Sequence, residues 1–154
     1  MKPSIFFFSV LIFSLSVFGQ SDDLRKSYRA ATKSEENAKT FYKYVEDVSE
    51  SDKAVMMAYK GAGETLLARF APLAQRRGKV KSGIELVKKA VQKDPDNVEV
   101  RLIRLSIQEN LPKMFKYNSE IEADKKFIKN VLPGIKDKGL LDMINGYFAG
   151  FSNN

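Results

Sequence analysis

Residues 80–112 leave few choices of fold, because they contain two apolar helical patterns with a proline between them. In each pattern the apolar residues recur every three or four positions, which places them on one face of an α-helix. Pro95 has no backbone N–H and disfavours helical geometry at Asp94, so we expect the first helix to end at Lys93. The second pattern is apolar over a wide arc and predicts a helix that is buried on two sides and ends before Pro112. The apolar positions are Val80, Ile84, Val87 and Val91, then Val98, Leu102, Ile103, Leu105 and Ile107.

Capping residues predict where further helices begin. A serine or aspartate followed three residues later by a glutamate has the spacing of a capping box, and acids suit the positive end of the helix dipole. We therefore expect a helix from Asn97 or Val98, and an earlier one that runs from Ser34 to about Val48. The signals are Ser34 with Glu35 and Glu36, Asp96 with Glu99, and Ser119 with Glu122.

The remaining patterns complete an all-α prediction of six or seven helices and no strand. Residues 21–33 carry only a weak apolar face, so we expect a frayed or loosely docked first helix. A helix from Ala54 to Phe70 contains Gly61 and Gly63, which each cost about 1 kcal/mol relative to alanine and therefore indicate a close approach by another helix. Met114 and its aromatic neighbours are expected to pack under the domain, and the last helix is expected over residues 138–148.

Residues 54–112 resemble one atypical unit of the tetratricopeptide repeat family. Gly83, Val87 and Ala90 stand in the small, large and small places of the second helix of that repeat, and residues 94–97 resemble its turn. Tyr59 and Gly61 resemble its first helix. The segment 71–79 is read as a loop that is longer than the turn of the 34-residue unit, and no second clean copy follows. The resemblance implies a helical-hairpin array whose concave face holds a peptide or protein.

Residues 1–19 have the character of a secretory signal peptide. Lys2 precedes an uncharged apolar run over residues 5–18, and Gly19 is small enough for a cleavage site. The alternative is a membrane anchor, which needs about 20 apolar residues. We therefore expect an exported protein, periplasmic or secreted, whose single helical domain spans residues 20–154 and begins near Gln20.

The residue inventory argues against catalysis. The chain has no cysteine and no histidine, which removes the thiol nucleophile, the commonest neutral-pH base and the usual zinc ligands. The acidic pairs are better explained as helix caps than as catalytic carboxylates. We expect no enzyme activity, no metal and no cofactor, although an enzyme of unrecognised type stays a third alternative.

Two sets of polar residues are candidate binding sites, and they imply different partners. The first set shares helix faces and either lines a partner-binding groove or forms interhelical salt bridges, for example between Glu64 and Arg104. The second is a basic loop that is either solvated or binds anions, in keeping with the formal charge of +7. We expect an exported interaction module for a protein or peptide partner in the cell envelope; the alternative is a basic envelope protein that binds polyanions. The groove candidates are Lys60, Glu64, Arg101, Arg104 and Gln108, and the loop candidates are Arg76, Arg77, Lys79 and Lys81.

Overall fold

The structure is a computed structural model that describes residues 15–151, with side chains described for residues 21–150. Within this range the chain forms an all-α helical array and no strand, which confirms the predicted fold class. Two short 3-10 helices lie at Lys113–Phe115 and Leu132–Gly134. The α-helices are α1 Leu15–Ala31, α2 Glu35–Lys43, α3 Ala54–Ala68, α4 Leu73–Lys93, α5 Val98–Asn110, α6 Ile121–Val131 and α7 Lys138–Phe151.

The predicted signal peptide lies mostly outside the described residues. Its last residues, 15–19, belong to α1, so cleavage near Gln20 would remove the first turn of that helix. None of the helices described in residues 15–151 combines the length and apolar character needed to cross a membrane.

The hairpin of α3 and α4 lies at the centre of the array. A methyl group added at Gly61 would stand 2.6 Å from the Gly83 carbonyl oxygen and 2.7 Å from Cγ2 of Val87. The two helices therefore cross with backbone against backbone, which confirms the close approach predicted for Gly61.

α4 is longer than the sequence patterns predict. It begins at Leu73, so the expected loop over residues 71–79 is wrong and the connection from α3 is confined to residues 69–72. Pro72 suits the position before a helix, because the first backbone N–H groups have no partner inside the helix. The polar residues that follow are good helix formers, and they extend the helix without an apolar face of their own.

One main core takes buried residues from all seven helices. Its centre is a group of three aromatic rings: Tyr28 lies 5.3 Å from both Phe41 and Tyr59, measured between ring centroids. Leu24 and Ala31 of α1 are buried in this core. The expected loose docking of the first helix is therefore wrong over the residues whose side chains are described.

Several predicted helix ends differ in detail. α5 begins at Val98 as expected, but its cap is Asn97, whose Oδ1 accepts hydrogen bonds from the N–H groups of Glu99 and Val100 at 3.1 and 3.2 Å. The predicted capping box from Asp96 to Glu99 is wrong. α2 ends at Lys43 rather than near Val48, although Ser34 caps its start as predicted.

The start of α6 also differs, since no side chain caps it and the box predicted from Ser119 does not form. The N–H of Glu120 instead donates to Oε1 of Gln108 at 3.0 Å. Met114 is not packed under the domain: its side chain is 75% exposed, while Phe115 packs on a small second cluster. The buried members of that cluster are Ala68, Val80 and Ile84.

Candidate functional site

The described part of the molecule contains a cleft of about 930 Å³. It opens where the C-terminal halves of α1, α3 and α5 meet the first turns of α4 and the middle of α7. Apolar side chains from these elements dominate its walls. The volume of the cleft lies within the range of ligand sites in proteins. The apolar walls come from Ala62, Leu66, Leu73, Val80, Leu102, Ile107, Leu111, Met114, Phe115 and Met143.

The polar groups of the cleft wall are bonded to one another. The hydroxyls of Tyr28 and Ser106 are 2.6 Å apart, and Thr65 donates to the carbonyl of Ala62 at 2.8 Å. Burial raises the pKa of Tyr28 to about 12, so its hydroxyl stays neutral at physiological pH. Because these groups already have partners, the walls favour an apolar ligand surface.

Four arginines surround this apolar surface: Arg29 on α1, Arg69 after α3, and Arg76 and Arg77 on α4. No aspartate or glutamate is among the residues that line the cleft. Within residues 21–150, none of these four guanidinium groups forms a salt bridge. The cleft therefore combines apolar walls with positive charge that the described residues leave unneutralised.

The helix dipoles stabilise two of these arginines and destabilise the other two. Arg29 lies in the last turn of α1 and Arg69 directly follows α3, where the negative end of a helix stabilises a cation. Arg76 and Arg77 lie near the start of α4, whose first turn has no acidic residue, and there the dipole opposes a cation. An anion in the cleft would neutralise this unfavourable arrangement.

The predicted groove residues on α5 are occupied within the protein. Nε of Arg104 donates to Oδ2 of Asp124 at 2.7 Å, and Nη1 of Arg101 donates to Oδ1 at 2.9 Å. Gln108 donates to the same carboxylate at 3.3 Å. The Asp124 side chain on α6 is 0% exposed, so this face of α5 is covered by α6 and offers no open groove.

The two groove candidates on α3 bind residues of α2 and of the segment that follows it. Nζ of Lys60 donates to the carbonyls of Glu46 and Val48 at 2.9 and 2.6 Å. Glu64 accepts a hydrogen bond of 2.6 Å from the hydroxyl of Tyr42. The suggested ion pair between Glu64 and Arg104 does not form, and the five candidates share no common partner.

The structure also separates the four basic residues that were predicted to form an anion-binding loop. Arg76 and Arg77 line the cleft, whereas Lys79 and Lys81 lie on the same helix outside its lining. Sequence reasoning missed Arg29 and Arg69, since nothing local links them to α4. It also missed Leu73 and Met114 as site residues, because their apolar character predicts burial rather than exposure.

A second polar cluster is buried and structural. Arg25 on α1 binds Glu99 on α5 with two hydrogen bonds, of 2.8 and 2.7 Å, and also contacts Asp137 before α7 at 2.9 Å. The bonds to Glu99 raise the pKa of Arg25. Tyr59 donates to Glu99 from α3. This cluster holds α1 in place and explains the firm docking that apolar patterns alone did not predict.

In the part of the chain that the structure describes, no group of histidine, cysteine, aspartate or glutamate side chains is arranged to hold a metal ion. Comparison with family models, with curated proteins and with solved structures found no match for this chain. The cleft is therefore the feature on which a function can be argued.

Proposed function

We propose that this protein is an interaction module whose apolar cleft binds a segment of a protein or peptide partner. One observation carries the proposal. Three large hydrophobic side chains are strongly exposed in the described residues, Leu73 at 81%, Met114 at 75% and Tyr44 at 52%, and the first two lie at the cleft. Exposed apolar residues that cluster beside a concave surface are typical of interaction sites.

The α3–α4 hairpin supports a repeat-like architecture for this module. Its short connection and its glycine-to-glycine crossing suit the first and second helices of a tetratricopeptide unit. In this proposal the hairpin provides one wall of the cleft and α5 the next. We further propose that the module is exported after removal of residues 1–19, so that its partner is a component of the cell envelope.

A photo-crosslinking amino acid placed at position 73 or 114 tests the proposal in the producing cell. We expect a discrete crosslinked partner from both positions, and none from the same label at position 44, which is exposed and apolar but lies outside the cleft lining. Mass spectrometry identifies the partner. Equal crosslinking from position 44 would contradict the assignment to the cleft.

The identified partner then permits a measurement with purified proteins. The double variant Leu73→Ser/Met114→Ser should weaken its binding by about tenfold or more, since about 1.4 kcal/mol of lost apolar contact is a tenfold change in affinity. Tyr44→Ser is the matched control and should leave the affinity unchanged. Intact-mass spectrometry of the exported protein tests the proposed cleavage, because the mass reports whether the chain begins near Gln20.

The alternative function is binding of a polyanion, which the unneutralised arginines favour. Salt separates the two functions: a polyanion that is held by charge alone loses nearly all its affinity as the ionic strength rises, whereas a partner that also makes apolar contacts keeps part of its affinity. A partner that contains no protein, and whose crosslinking is lost when moderate salt is added before irradiation, would favour the alternative.

A further inference from the structure

We infer that the segment bound in the cleft is an acidic amphipathic helix, with apolar side chains against the walls and carboxylates against the arginines. This inference rests on the proposed function and names the chemistry of its partner. The charge of the cleft carries it: four guanidinium groups line an apolar surface that contains no carboxylate.

The surroundings of these arginines contain carbonyl acceptors but no acidic partner. Nε of Arg76 donates to the carbonyl of Ala71 at 2.9 Å, and Nη1 of Arg69 donates to the carbonyl of Thr32 at 3.3 Å. Some exposed cations elsewhere do have acidic partners, such as Lys39 with Glu35 at 2.7 Å and Lys88 with Glu85 at 2.8 Å. Arg76 and Arg77 have none among the described residues, and they stand at the end of α4 where the dipole disfavours cations. A carboxylate of the partner would be stabilised by the positive end of the α4 dipole and by charge-assisted hydrogen bonds from a guanidinium.

The distribution of the arginines favours a polypeptide over a small amphiphile. They come from α1, from the turn after α3 and from α4, so they suit several carboxylates spread along a partner rather than one headgroup. Leu73 and Met114, which line the cleft, are also strongly exposed, so the apolar surface of the cleft reaches the solvent. Both features suit a partner that covers the opening of the cleft as well as its walls.

The helical nature of the partner follows from the walls. The cleft is built from helices, and within the described chain there is no strand whose edge could pair with an extended peptide. A groove between helices is the surface that receives an amphipathic helix, whose apolar residues at every third or fourth position fill it. Carboxylates at the borders of that apolar face would meet the arginines.

Fluorescence anisotropy with three designed peptides and the full chain tests the inference. The first peptide is an amphipathic helix with leucines on one face and glutamates at its borders; the second replaces each glutamate by glutamine. The third keeps the composition of the first in an order that has no apolar face. We expect binding of the first peptide, about tenfold weaker binding of the second, and no binding of the third.

The chain provides a matched pair of variants for the same assay. Arg76→Gln/Arg77→Gln should weaken binding of the acidic peptide by about tenfold and leave the glutamine peptide unaffected. Lys79→Gln/Lys81→Gln removes the same charge from the same helix outside the cleft lining, and its affinity should stay within about twofold. Circular dichroism melts establish that both variants are folded.

Several results would overturn the inference. Equal binding of the glutamate and glutamine peptides would show an apolar cleft without acid selectivity, which leaves the proposed function standing. Equal losses in the arginine and lysine variants would show general attraction by net charge. Displacement of a bound apolar dye by oleate but not by the acidic peptide would assign the cleft to small amphiphiles. Failure of crosslinking at positions 73 and 114 is a separate result, and it would overturn the proposed function itself.

Discussion

At the scale of single residues, the crossing of α3 and α4 requires glycine at position 61. Even a methyl group there would meet the carbonyl oxygen of Gly83 at 2.6 Å, and a backbone atom cannot move aside as the end of a side chain can. Gly61→Ala should therefore lower the free energy of unfolding by about 1–3 kcal/mol, despite the better helix propensity of alanine. Gly61→Leu should have a larger effect. Thermal and urea unfolding measure both.

Gly78 is the matched control for this prediction. It also lies inside a helix, but a methyl group there would meet no atom within 4 Å. Gly78→Ala should stabilise the protein by about 0.5–1 kcal/mol, because alanine restricts the unfolded chain and favours the helix. If both alanine variants shift the midpoint in the same direction, the crossing of α3 and α4 is not as close as described.

At the scale of helices, one buried carboxylate on α6 binds three side chains of α5. Asp124 accepts hydrogen bonds from Arg101, Arg104 and Gln108 and is fully enclosed. Asp124→Ala should destabilise the protein by about 3–5 kcal/mol, because it leaves the Arg104 guanidinium buried without its partner. Urea unfolding measures the loss.

Glu122 on the same helix is the control, since its side chain is 89% exposed and lies 3.8 Å from Lys125. Glu122→Ala should change the free energy of unfolding by less than about 0.5 kcal/mol. Similar effects of the two substitutions would mean that helix propensity or net charge, rather than the buried cluster, determines how α6 contributes.

At the scale of the whole molecule, stability should fall at alkaline pH. Burial raises the pKa of Tyr28, Tyr42, Tyr59 and Tyr117 above the usual 10.0, and the nearby carboxylate of Glu99 raises that of Tyr59 further. Above pH 10 the unfolded chain loses these protons while the folded chain keeps them, so the folded state is progressively disfavoured. Below that pH the contribution of these groups is fully present.

Melting temperatures between about pH 8 and pH 11 test this expectation, with tyrosinate absorbance as a second readout. In Tyr59→Phe the side chain at position 59 cannot ionise. The melting temperature of this variant should therefore fall less steeply with pH than that of the parent protein, whatever its value at neutral pH. Tyr44→Phe is the matched control, because it removes the same hydroxyl from an exposed position. A parent protein whose midpoint is constant through this range would contradict the buried, neutral state of these hydroxyls.

Local chemistry was sufficient for much of the fold. Proline lacks a donor and restricts its neighbour wherever it occurs, so the break at Pro95 could be predicted without knowledge of the rest of the chain. Apolar spacing likewise placed α5 and its two buried sides, and the propensity cost of Gly61 indicated a close helix crossing. These effects act over a few residues, which is the range that a sequence pattern reports.

The partners of the charged residues were decided only by tertiary structure. Glu99 has the spacing of a cap, yet it binds Arg25, 74 positions away along the chain. Arg101 and Arg104 share a helix face that looks available for a ligand until α6 brings Asp124 against it. Long-range ion pairs depend on which helices meet, and apolar periodicity does not contain that information.

The cleft depends on the tertiary structure in the same way. It combines α1, α3, α4, α5 and α7, and its four arginines come from three separate segments. The sequence by itself determined an all-α chain with a proline-bounded hairpin and a basic stretch, because helix periodicity and charge are local properties. Packing decided that Arg76 and Arg77 face an apolar cleft while Lys79 and Lys81 do not, since the side of α4 that lines the cleft is set by the neighbouring helices.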